Sequence, residues 1–484
     1  MIFLILLDMK RFTVILCSLV AITISAHADW QAQVDQFISQ GEFKKAEKVM
    51  DKLPKKTRQA EAVRIDSLKT IMQRIRKDFN ITPEQGAQMI RERMPEATDA
   101  QIANWKQKKA LEVMNIDGQE WWFRKSVRNL WLLGEEFAQQ NAQERDDTYR
   151  IRRKYYLDAM RTPADRNGVR DWRRVNITFS LDVKAGAVPA GETLRVWMPM
   201  PYENLRQRNI QYRGGNHEAT FSEGSKHHTV YMEAQAEAGK PTHFEYSFSY
   251  EVGERHIAQQ DLLAMVEPYD VHSEVYQRYT GDEPRHVIIT DKMRELARQI
   301  VGDEDNPVLQ AAKVFEWISH FPWAGAREYS TFANIPEYVL ESGHGDCGQV
   351  ALLYITLVRS LGIPARWESG WMLHPDEVNW HDWAETYFEG VGWVPTDPSF
   401  GRSSVGTPMN SYYATGIDVY RMASNEAVGD QLSPPKKFIR SETVDFQPGE
   451  VEWRGGNLYY DAWSSHLEVD GITPLNRIIG ATIH

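Results

Sequence analysis

The 484-residue sequence predicts an α+β protein of several domains. Three observations predict it: helical periodicity from 29 to about 165, period-2 alternation from 172 to 253, and a Gly-rich loop that runs into a strong apolar helix and then into strands. A length of 484 residues is room for two to four domains of roughly 100–200 residues each.

The first 28 residues read as an export signal. Lys10 and Arg11 precede the apolar run Phe12 to Ile24, and Ala26-His27-Ala28 supplies a cleavage pattern. A start at Met9 makes the tidier signal. The run is shorter than the ~20 residues that span a bilayer, so no membrane anchor is expected after cleavage. Cys17 follows Leu16 rather than a small residue, which argues against lipid attachment there. The expected location is exported, periplasmic or extracellular.

Removal of 1–28 takes away Asp8, Lys10 and Arg11 and moves the formal charge from −11 to −12. That acidity, with no basic run, excludes nucleic acid as a partner. Removal also takes Cys17, one of two cysteines, and leaves Cys347 alone. A lone thiol in an oxidising compartment cannot form an internal staple, so it is buried or it is used.

Residues 29–165 are predicted to be a helical domain. Ile65, Leu68, Met72, Ile75 and Phe79 recur at helical spacing, and Thr82-Pro83-Glu84-Gln85 and Thr98…Gln101 read as capping boxes. Trp121, Trp122, Phe123 and Trp131 are read as core. Its role, pro-region or binding element, stays open. A linker at Thr162 to Arg170 follows. In the β-sandwich domain, 172–253, Val175, Ile177, Phe179 and Leu181 alternate with polar residues, as do Phe244, Tyr246, Phe248 and Tyr250. The segment 256–405 carries amphipathic helices and then the chemistry; 406–484 is a β-rich C-terminal extension.

Gly343-His344-Gly345-Asp346-Cys347-Gly348-Gln349 is a loop leading into the helix Val350 to Leu361, closed by Gly362 and Pro364. Cys347 is thereby placed at a helix N-terminus, where unpaired amides and the macrodipole favour thiolate and its amide can donate to an oxyanion. A buried inert cysteine is the plain alternative, but such residues sit on apolar faces. A thiolate needs an imidazole. His344 and His374 are nearby. His381 opens a strand on which His381, Trp383, Glu385 and Tyr387 share a face. A hairpin through Glu389-Gly390-Val391-Gly392 returns Trp393 to Thr396, and so brings Asp397 back towards His381.

Residues 343–401 resemble the transglutaminase-like cysteine hydrolases. The resemblance rests on Gly345-Asp346-Cys347, on Arg359-Ser360-Leu361-Gly362-Ile363-Pro364-Ala365-Arg366, on His381-x-Trp383, and on Trp393…Asp397. It implies a papain-like core with a central helix packed on antiparallel sheet, no cofactor and no metal, and a triad of Cys347 as nucleophile, His381 as base and acid, and Asp397 as orienting carboxylate. Trp323, Gln349 and Trp383 are candidates for oxyanion or substrate binding. No calcium loop is recognisable. The expected activity is a secreted cysteine hydrolase cutting amide or peptide bonds through a thioester, with a peptide or glycoprotein as substrate. A protein-glutamine transglutaminase, a glycoprotein amidase and a non-catalytic scaffold are the alternatives. Trp367, Trp371, Trp380 and Trp383 either line a groove or fill the core.

Overall fold

A computed structural model describes residues 30–475, except 138–149, 151, 155, 158–160 and 284. The export signal with Cys17 lies outside the described residues. Among those described, no helix is long and apolar enough to cross a membrane. The chain divides into two compact units, Met1–Leu130 and Trp131–His484.

In the first unit, helices at 30–39, Phe43–Lys52 and Ala62–Asp78 bury one stripe each: Val34 and Ile38, Phe43 and Met50, Leu68 and Met72. Both capping boxes form, with Gln85 N donating to Thr82 Oγ1 and Gln101 N to Thr98 Oγ1, each at 3.2 Å. The region expected to be a helical domain also holds a small sheet. Strands β1 (Phe79–Ile81), β2 (Val113–Ile116) and β3 (Gln119–Phe123) form a sheet in the order β1-β3-β2. The cause is a two-residue turn, Asp117-Gly118, whose φ values of 51° and 90° suit a hairpin with mirror-image twist. Ile116 pairs directly with Gln119 across it. Asp117 secures the turn to its helices by accepting from Lys44 N and Arg76 Nη2.

The second unit holds a sandwich and a helix-on-sheet layer. Strands β4 (Val169–Val183), β5 (Thr193–Pro199), β6 (Gln207–Gly215), β7 (Thr220–Phe221), β8 (Thr229–Gln235) and β9 (Thr242–His256) come first. Then come β10 (Ala365–His374), β11 (Glu377–Phe388), β12 (Gly392–Thr396), β13 (Gly416–Ile417), β14 (Arg421–Asn425), β15 (Glu450–Trp453), β16 (Gly456–Leu458) and β17 (Trp463–Pro474). One sheet runs β13-β9-β4-β17 with β6 also on β9, and a second runs β16-β15-β5-β8-β7. Val175, Ile177, Phe179 and Leu181 of β4 meet Leu194, Val196 and Met198 of β5 in one core. Each such side chain contributes about 1.5–3 kcal/mol by leaving water. The C-terminal residues are part of this sandwich: β17 pairs along β4 from Trp463↔Val183 to Pro474↔Arg173.

A third sheet, β12-β11-β10-β14, carries the helix Cys347–Ser360 on one face. That helix is buried from Gly348 through Arg359, which explains why it is apolar all round. Its one buried cation, Arg359, donates to Ala365 O at 2.8 Å and pairs with Glu283 at 3.0 Å.

Candidate active site

The cysteine loop begins where the helix Ile335–Ser342 ends on Gly343, whose φ of 74° closes it. Asp346 is the N-cap of the next helix. Its Oδ1 accepts from Gln349 N at 3.1 Å, while Gln349 Oε1 accepts from Asp346 N at 3.2 Å. Tyr329 OH also donates to Asp346 Oδ1 at 2.5 Å. Cys347 is therefore the first helical residue, and it is partly exposed.

Its thiol donates to Asp382 Oδ2 at 3.3 Å. The expected thiolate is not favoured in this geometry: burial first, then Asp382 and Asp346, push the thiol well above its ordinary value. Burial is the main cause, and the two neighbouring carboxyls add to it, while the helix dipole offers only a fraction of a charge in return. Asp382 is itself pushed up to about 8, by burial and then by Asp346. It also accepts from Gln447 Nε2 and contacts Asp445, another buried carboxyl raised by its surroundings.

His381 and Asp397 do come together. His381 Nε2 lies 2.7 Å from Asp397 Oδ2, and both residues are buried. Asp397 caps the helix Pro398–Ser403, with Oδ1 accepting from Phe400 N at 3.0 Å, and Arg421 Nη2 donates to its Oδ2 at 3.3 Å. Burial works to raise the Asp397 pKa, but His381 and Arg421 prevail and hold it below the usual carboxylate range. Burial lowers the His381 pKa, against the pull of Asp397. With Nε2 committed to Asp397, Nδ1 is the nitrogen available for proton transfer. No hydrogen bond joins His381 to Cys347 in this structure.

Strand alternation explains the separation. Asp382, Ala384 and Thr386 face the cysteine helix: Asp382 holds Cys347, and Thr386 Oγ1 meets Tyr354 OH at 2.8 Å. His381, Trp383 and Glu385 point the other way. Trp383 is fully buried, donates Nε1 to Glu368, and packs with Tyr202, Ile417 and Ala423, so it is not a surface on which substrate can lie. Trp371 and Trp380 fill the sandwich core, with Trp371 stacked on Phe179 at 5.1 Å. Gln349 is fully buried with Oε1 spent on the cap, and its Nε2 has no partner. Trp323 is 41% exposed, and its backbone runs beside Gly345. His374 is taken by Asp418 at 3.2 Å.

Four neighbours escaped sequence reasoning: Asp382, Tyr329, Arg402 and Arg421. Buried Arg402 donates Nη1 to Gly345 O at 2.6 Å, which fastens the loop before Cys347 to the helix after Asp397. Asp382 had a signal, since it stands next to His381. The others lie 17 or more residues from the residue they serve, and nothing local marks them.

A cysteine at the start of a buried helix, packed on antiparallel strands that carry a histidine–aspartate pair, defines a transglutaminase-like core. Residues 294–398 match the Transglutaminase-like superfamily. The chain is 25% identical to the uncharacterized protein YebA of Bacillus subtilis over 132 residues, 23% of this chain and 18% of YebA. It is 25% identical to an uncharacterized protein of Haemophilus influenzae over 253 residues, 46% of this chain and 66% of that one. It thus spans about a fifth of the first relative and just under two thirds of the second. Among solved structures, a proposed cysteine protease of Cytophaga hutchinsonii aligns over 63% of this chain and 93% of that one, at TM-score 0.41 and 15% identity. The periplasmic domain of TgpA from Pseudomonas aeruginosa aligns over 46% and 88%, at TM-score 0.26 and 15% identity.

Proposed function

We propose that this protein is an exported cysteine hydrolase that cleaves amide bonds of a peptide or glycoprotein, with Cys347, His381 and Asp397 as its triad. The observation that carries the reading is the 2.7 Å His381–Asp397 pair inside the same superfamily segment as a helix-initial Cys347. Cys347 loses its thiol proton to His381 Nδ1, and Sγ attacks the amide carbonyl. The oxyanion takes the Cys347 amide N–H, with Trp323 as the neighbouring side-chain candidate. The C–N bond breaks, His381 protonates the leaving amine, and water, deprotonated by His381, releases the acyl group from the thioester. Asp397 orients the imidazole and balances its charge. The sulfur must leave Asp382 for this sequence to begin. Amine in place of water gives transglutamination from the same acyl-enzyme.

A second reading follows from the 3.3 Å Sγ–Oδ2 contact: Asp382, raised by burial, takes the thiol proton itself. The test for both is the full chain incubated with a peptide library and a primary amine, read by mass spectrometry. Cleaved backbones support hydrolysis, and Gln–amine adducts support transglutamination. Cys347→Ala is expected to abolish both; turnover that survives it refutes the proposal.

A further inference from the structure

The face of β11 turned away from Cys347 borders a cavity of about 590 Å³. Its wall includes Arg206, Arg255 and Arg366, with Glu203, Glu385, Glu426 and His228 among them. The charges balance in number but are not paired one to one. Arg366 is matched, by Glu385 at 2.6 Å and Glu426 at 3.2 Å. Arg255 is not. It is 3% exposed, and its guanidinium donates to two backbone carbonyls, those of Asn167 and Trp393. Among the described residues no carboxylate comes within ion-pair distance of it; Glu385 and Glu368 act only from further off. Arg206, also 3% exposed, spends Nη1 on Arg421 O at 3.1 Å. Its Nη2 makes no hydrogen bond, and among the described residues its sole ion pair is a long one to Glu368, at 3.8 Å. His228 Nε2 faces Glu426 Oε1 at 3.7 Å.

A buried guanidinium costs several kcal/mol unless an anion compensates it. Here two line one cavity: among the described residues Arg255 has no carboxylate within ion-pair distance, and Arg206 has only the long pair to Glu368. The wall also carries Glu203 and Asn204, and its apolar part is Leu205 at the half-exposed rim, Pro395, Trp393, and Tyr202 stacked on His228 at 4.5 Å. The volume falls in the range of small-molecule sites. We propose that this cavity binds a small organic carboxylate, its anionic end taken by Arg255 and Arg206 and its carbon chain laid against Trp393 and Leu205. The site is distinct from the proposed triad, since none of Cys347, His381 and Asp397 lines the cavity.

The probe is sodium succinate added to the full chain, followed by calorimetry and by thermal unfolding against sodium chloride of equal ionic strength. Succinate is expected to bind saturably and to raise the unfolding temperature. Arg255→Gln is expected to weaken binding by about tenfold or more. If that variant does not fold, Leu205→Trp, which changes only the half-exposed rim, is expected to weaken succinate binding without lowering the unfolding temperature. No saturable succinate binding, equal binding by Arg255→Gln, or binding of inorganic phosphate in preference to succinate each overturns the proposal.

Discussion

The two sides of β11 present opposite electrostatic solutions to burial. Beneath Cys347, Asp382, Asp445 and Asp346 crowd together, with no cation among the described residues pairing Asp382, and both Asp382 and the thiol are driven towards their protonated forms. Across the strand, Asp397 and Asp418 are served by Arg421, His381 and His374, and both carboxyls stay ionised. The same residue type, equally buried, thus ends in opposite charge states according to its partners. The lesson is that a carboxylate next to a thiol raises it as surely as an imidazole beside one would lower it.

The largest expected effect breaks the balanced side. Arg421 is fully buried between Asp397 and Asp418. Arg421→Met leaves two carboxylates without their cation and should cost about 3–5 kcal/mol in denaturant unfolding at neutral pH. The loss should shrink in acid as those carboxyls protonate; a loss that is the same at low pH would contradict the account.

The crowded side is probed next by Gly348→Ala. A methyl there would meet Tyr329 OH, Asp382 Oδ2 at 2.6 Å and the Trp367 ring. Overpacking should cost about 1–3 kcal/mol and should disturb the Cys347–Asp382 contact. Unchanged stability together with an unchanged rate of thiol alkylation would show that the crowding has been overstated.

The smallest effect, a shift in pH profile, sharpens the comparison most. His381 has a lowered pKa, so it remains an unprotonated base below the usual imidazole value. With His381 as base, the acid limb of turnover should fall below about 6.5. With Asp382 as base, turnover should rise only as pH passes about 8. Asp382→Asn should then abolish activity in the second case, whereas in the first it frees the thiol and leaves the acid limb in place.

Much of this was legible. The capping boxes, the alternation of β4 and β9, the cysteine helix with its Gly362 end, and the hairpin that returns Asp397 to His381 follow from spacing and turn chemistry. The Asp117-Gly118 turn is equally legible, but the strands beside it are short and flanked by segments of helical periodicity, which masks them.

By itself the sequence determined which residues of β11 share a face, because side-chain alternation is a property of any strand. It did not determine which face the cysteine helix covers. His381 through Thr386 are all buried, so neither side of the strand is marked by polarity as the inner one. Only the packed structure decided that Asp382 rather than His381 lies under the thiol, that Arg402 and Arg421 arrive from distant positions to brace the site, and that Arg206 and Arg255 converge on one cavity. Those are contacts between elements far apart in the chain. No local pattern encodes them, because each is set by how whole layers stack.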